Sequence, residues 1–140
     1  MRFWDSSALV PLLLREDGSA PARRLASEDR DILVWALSPI EVLSAMWRRR
    51  RTGELAESDH MAAEHGLAQL ESVWSTVADL ASVERRARRI IAVHPLRGAD
   101  ALQLAAALLA CDEQSSLLPL VTFDARLAEA ARREGFSVLP

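Results

Sequence analysis

The chain has 140 residues, half of them hydrophobic, and 17 basic against 20 acidic side chains give it a formal charge of -3. That is enough for one domain, 1–140, with its own core, and it excludes an overall basic field that would draw the protein onto nucleic acid. A lone Cys111 excludes an internal disulfide, and charged Asp5, Arg15, Glu16 and Asp17 break up the first apolar stretch, so a soluble, cytoplasmic protein with no membrane span is expected.

Arg2–Trp4 reads as a short strand that ends at Asp5, with helix signals from Ser6 or Ser7 through Leu14. Glu16-Asp17-Gly18-Ser19 breaks that helix, and Ser19 is placed to cap a second one running to about Glu28. Ile32–Leu37 is the next strand. Ser38 as N-cap, Pro39 at the first helical position and Glu41 three residues after the serine form a capping box, and Gly53 suits the helix stop. Ser58 to about Val73 is helical, Trp74–Ala78 is a weak strand or turn, and Ala81–Val93 is a helix closed by Pro95. Gly98–Ala110 follows as a strongly helical stretch. Leu117–Thr122 is the clearest strand, Ala125–Glu134 a helix closed by Gly135, and Phe136–Leu139 a final strand. Alternating strands and helices predict an α/β fold with a central, mainly parallel sheet and helices on both faces, since parallel neighbours need crossover connections.

In such sheets the chemistry gathers beyond the carboxyl ends of the strands. Asp5 and Asp124 follow strands directly, while Glu41 and Asp100 lie in the first turns of helices, so all four carboxylates can face one edge. A cluster of that kind repels itself unless protons or a cation offset the charge. Oxygen-only ligation without a His or Cys set suits Mg²⁺ or Mn²⁺, and such ions at an acidic edge can activate water against a phosphodiester. Each residue also has a purely structural reading: Asp5 and Asp124 as helix caps, Glu41 as half of its capping box, Asp100 as a partner of the helix dipole. Ser7 and Thr122 stand beside the acidic edge and can support it, although capping and strand propensity account for them as well. His60, His65 and His94 have no ligand spacing. Among the arginines, Arg97 and Arg126 lie closest in sequence to the acidic residues, while Arg48–Arg51 and Arg85–Arg89 read first as solvated helix faces.

The blocks "FWDSSALV", "SPIEVLSA", "RGADALQLAAAL" and "VTFDARLAEAARREGF" resemble, in order and spacing, the successive acidic blocks of PIN-domain ribonucleases, in particular the VapC-type toxins of bacterial toxin–antitoxin pairs. The resemblance spans almost the whole chain and departs at Gln103, where many relatives have histidine. It implies a PIN-like fold and a metal-dependent endoribonuclease, with Asp5, Glu41, Asp100 and Asp124 as the catalytic and Mg²⁺-binding set. It further implies RNA cleavage to a 5′-phosphate and a 3′-hydroxyl, a cognate antitoxin as protein partner, and a homodimer. Arg97 and Arg126 become candidate RNA contacts, because the guanidinium fork matches phosphate oxygens.

Two rivals share the acidic-edged sheet. A phosphoacceptor receiver domain needs a lysine, and the sequence contains none; a metal-dependent adhesion module wants Asp-x-Ser-x-Ser, whereas Asp5-Ser6-Ser7-Ala8-Leu9 ends in leucine. The alternative that survives is a PIN fold that binds RNA or protein without cutting.

Overall fold

The structure is a computed structural model and describes residues 1–29 and 31–140. Five parallel strands form one sheet: β1 (Arg2–Trp4), β2 (Ile32–Trp35), β3 (Ser75–Val77), β4 (Leu120–Val121) and β5 (Val138–Leu139), in the order β3-β2-β1-β4-β5. Seven α-helices connect them among the described residues: α1 (Ser6–Leu13), α2 (Ser19–Glu28), α3 (Ser38–Arg51), α4 (Glu57–Glu71), α5 (Leu80–Val93), α6 (Gly98–Ala110) and α7 (Ala125–Arg133). The chain builds outward from β1 through β2 to β3, then returns to add β4 and β5 on the other side. The topological switch therefore falls between β1 and β4, where connections diverge and leave a crevice beyond the strand ends.

Strand periodicity divides the core in two. Phe3, Leu33, Trp35 and Leu120 point to one face and pack with Val83, Ala87 and Ile90 of α5, Leu104 and Leu108 of α6, and Leu127 of α7. Trp4, Ile32, Val34 and Val121 point to the other, against Leu9 of α1, Leu25 of α2, Val42 and Met46 of α3, and Leu67 of α4. Both faces are therefore covered, as the uninterrupted burial of β2 requires.

Three local expectations are corrected. Only Leu120–Val121 of the apolar run Leu117–Thr122 is strand, because Pro119 has no N–H for the ladder and Ser115–Leu117 closes as a 3₁₀ turn. Ser19 does not cap α2: its hydroxyl donates to the Leu14 carbonyl at 2.8 Å and accepts from Glu16 N at 3.0 Å, closing the turn between α1 and α2. The capping box at Ser38 is absent. Helix α3 starts one residue earlier than that box demands, with Leu37 as N-cap and no side-chain cap bond. Ser38 is fully buried and turns its hydroxyl to Gln103 instead.

Two glycines end helices with positive φ, Gly53 at 78° and Gly135 at 91°. A Cβ at Gly53 meets open space, whereas one at Gly135 would stand 2.7 Å from the Ser115 hydroxyl. Gly53→Ala should therefore cost only the left-handed backbone penalty, about 1–2 kcal/mol, and Gly135→Ala clearly more. Urea unfolding of both variants checks this. Equal losses would mean that the Ser115 contact yields freely.

Candidate active site

Asp5 follows β1 at the switch point, and its amide donates to the Val121 carbonyl at 3.0 Å, which ties it to β4. Its side chain caps α1 and is 3% exposed. Oδ2 accepts from Ser7 N at 3.1 Å, from the Ser7 hydroxyl and from Thr122 Oγ1 at 3.0 Å. Burying a lone carboxylate costs several kcal/mol, and each hydrogen bond to a charged group returns about 1.5–3 kcal/mol. Desolvation wins. Burial raises the Asp5 carboxyl above its ordinary range against the lowering pull of Ser7 and Thr122, and the charge on Asp100 raises it further.

Glu41, one turn into α3, is freed from its expected capping role and held by two other elements. Oε2 accepts from Ser6 Oγ at 2.8 Å and Oε1 from Gln103 Nε2 at 3.2 Å. Burial raises its carboxyl too, and Asp5 and Asp100 add to the effect. Helix α6 leads into β4 and so begins at the carboxyl edge, which sets Asp100 in its first turn beside the others. Its carboxyl is raised by partial burial and then by Asp124, with Arg97 and Arg126 pulling the other way.

Asp124 answers to both of its readings. It caps α7 through Oδ1, which accepts from Arg126 N and Leu127 N at 2.8 Å each. Among the described residues Oδ2 takes no hydrogen bond, so the cap occupies one oxygen and leaves the other free, and Asp124 shares a cleft with Asp100. Asp100 is the common neighbour. It lines one cleft of about 430 Å³ with Ser6, Ser7, Glu41, Arg48 and Arg49, and a second of about 460 Å³ with Arg97, Asp124 and Arg126.

The structure thus brings all four acidic candidates to one edge, with the Ser7 and Thr122 hydroxyls both bonded to Asp5 and 3.1 Å from each other. It does not pre-form a tight cage: among the described residues, no three His, Cys, Asp or Glu side chains stand close enough to hold a metal ion. Asp5, Glu41 and Asp124 rest instead on the protein's own donors. The donor set is hard oxygen throughout, with charge that burial and mutual repulsion leave poorly compensated, and this chemistry fits a hard divalent cation.

Three residues stand at this edge that the sequence named but did not place there. Arg48 and Arg49 line the Glu41 side of the cleft, although their run reads as a solvated helix face; the signal was their spacing from Glu41, about two turns along α3. Gln103 contacts Glu41 directly, and a polar side chain within an Ala- and Leu-rich helix was the cue. The α5 arginines do match a solvated, structural face: Arg86 pairs with Glu113, Arg88 with Glu84, and Arg89 with Glu134. His94 joins that last pair, 2.7 Å from Glu134, and His60 bonds Glu64 and packs on Trp47.

A doubly covered parallel sheet with four carboxylates at its switch point defines the class: the PIN-domain family model matches residues 2–133, and the chain belongs to that family. Within it the chain falls among the VapC-type proteins. It is 34% identical over 138 residues, 99% of this chain and 94% of the other, to a Mycobacterium tuberculosis protein named Ribonuclease VapC45. Its fold is similar to the crystal structure of M. tuberculosis VapC20, described as a sarcin-ricin loop cleaving toxin, with a TM-score of 0.72, 20% identity and complete coverage of both chains. It is also similar to a toxin–antitoxin complex from Klebsiella pneumoniae, with a TM-score of 0.67 and 15% identity, covering 100% of this chain and 97% of that one.

The three raised carboxyls give the metal-free protein a signature in pH. A raised group stabilises the fold fully below its unfolded value, 3.8 for Asp and 4.5 for Glu, and that contribution is lost as pH rises through the folded value. The thermal midpoint without metal should therefore rise as pH falls through the folded values toward 4.5. Glu134 and Asp79 are shifted downward and act below this window. Scanning calorimetry in EDTA checks the slope, which Asp5→Asn should flatten; an identical slope in both proteins would contradict the assignment.

Proposed function

We propose that the chain is a metal-dependent endoribonuclease acting in the cytoplasm as the toxin of a type II toxin–antitoxin pair. The observation that carries this reading is the convergence of four carboxylates about Asp100, with arginines on both sides. Asp5, Glu41, Asp100 and Asp124 would hold the cation, Mg²⁺ with Mn²⁺ as substitute. When bound, it supplies Lewis acidity to a phosphate oxygen and lowers the pKa of water. The remaining work belongs to the chain.

Arg97 and Arg126, exposed at one end of the acidic edge, orient the RNA phosphate by paired hydrogen bonds, and Arg48 receives the backbone at the other. Asp100 stands between them, common to both clefts. Ser7 and Thr122 keep Asp5 fixed at the switch point while substrate enters. The relatives' names and the likeness to a toxin–antitoxin complex support an RNA substrate and a cognate antitoxin as partner. A homodimer is part of the same proposal. No helix among the described residues is long and apolar enough to cross a membrane.

Purified protein free of antitoxin should cut total RNA with Mg²⁺ and stop in EDTA, and Asp100→Asn should lower the rate by roughly 100-fold or more. Gel analysis of RNA fragments reads the result. Equal cutting in EDTA, or by a folded Asp100→Asn protein, would remove the acidic edge from the chemistry. Binding of RNA without any cutting would favour a recognition module instead.

A further inference from the structure

We infer that Gln103 is a positioning residue that holds the Glu41 carboxylate ready for the cation; this rests on the reading of Glu41 as a metal ligand. The Gln103 side chain is fully buried, and an unpaired buried amide costs about 1–3 kcal/mol, so its partners lock its orientation. Nε2 donates to Ser38 Oγ at 3.1 Å and to Glu41 Oε1 at 3.2 Å. The flipped amide would set an oxygen against the carboxylate, acceptor against acceptor, so only one orientation is stable. One amide of α6 thereby reaches both Ser38 and Glu41, three residues apart on α3.

Glu41 receives its second donor, Ser6 Oγ, from the start of α1 at 2.8 Å. Each carboxylate oxygen thus has one neutral donor, and the two donors come from different helices. Two consequences follow from that pattern. Fixing a glutamate side chain costs up to about 1.5–2 kcal/mol of rotamer entropy, and here the fold meets that cost before any ion arrives. Neutral donors also orient the carboxylate without cancelling its charge, as an arginine would, and each oxygen keeps a lone pair for a cation. Partners of this kind behind metal ligands typically contribute 10–100-fold to affinity.

The test is Mn²⁺ binding to the full chain by isothermal titration calorimetry, with a double-mutant cycle. Gln103→Leu should weaken Mn²⁺ binding about tenfold or more in a folded protein, and Glu41→Gln should weaken it as well. If Gln103 acts through Glu41, adding Gln103→Leu to Glu41→Gln should change the affinity no further. Gln103→Met, which keeps the chain length without the donor, replaces Gln103→Leu if that variant misfolds. Full additivity in the cycle, or unchanged affinity in a folded Gln103 variant beside a weakened Glu41→Gln, overturns the positioning role alone. Failure of Glu41→Gln to weaken binding, or no Mn²⁺ binding by the wild type, overturns the ligand reading of Glu41 and this inference with it.

Discussion

A carboxylate buried where two inner strands of a parallel sheet part is unfavourable, and much of this molecule is arranged around that one group. Asp5 sits where β1 and β4 part, its amide bonded to β4 and its side chain to Ser7 and Thr122. Those bonds do not remove the desolvation penalty, since the carboxyl remains raised. The fold tolerates this because the cores on either side of the sheet hold β1 and β4 together regardless. Phe3 and Leu120 lie in one core, Trp4 and Val121 in the other, all fully buried.

From Asp5 the repulsion extends outward in order of burial. Glu41 feels Asp5 and Asp100, and Asp100 feels Asp124. Asp5 and Asp124 each cap a helix through one carboxylate oxygen, Glu41 is fixed by a hydroxyl and an amide side chain, and Asp124 keeps its second oxygen free of hydrogen bonds among the described residues. Cap and ligand are therefore compatible roles for Asp124. For Glu41 the structure chose otherwise: the backbone of α3 starts with Leu37, Ser38 is drawn inward to Gln103, and the glutamate is left for the acidic edge.

Much of the fold was legible because apolar periodicity is strong and the turn chemistry is conventional. Arg2–Trp4 and Gly98–Ala110 have the expected bounds, and Gly53 and Gly135 close their helices with positive φ. The edge positions of Asp5 and Asp124 follow from the same logic, since each stands directly after a strand. What the sequence hid was tertiary choice. Local preference at Ser38 and Ser19 favours capping, but burial against α6 and a tight turn to Leu14 claimed those hydroxyls. Leu117–Thr122 is apolar enough for strand throughout, and Pro119 limits the paired part to two residues. Arg48 and Arg49 look like any charged helix end until α3 is laid beside the cleft.

The central claim is that the crevice between β1 and β4 is built for a divalent cation. Crystals grown with saturating Mn²⁺ and measured at the manganese absorption edge test it most directly. The account predicts an anomalous peak at the carboxyl ends of β1 and β4, in contact with Asp100 and at least one of Asp5, Glu41 and Asp124. A well-ordered crystal with no peak there, or with manganese bound only at other carboxylates, would contradict it.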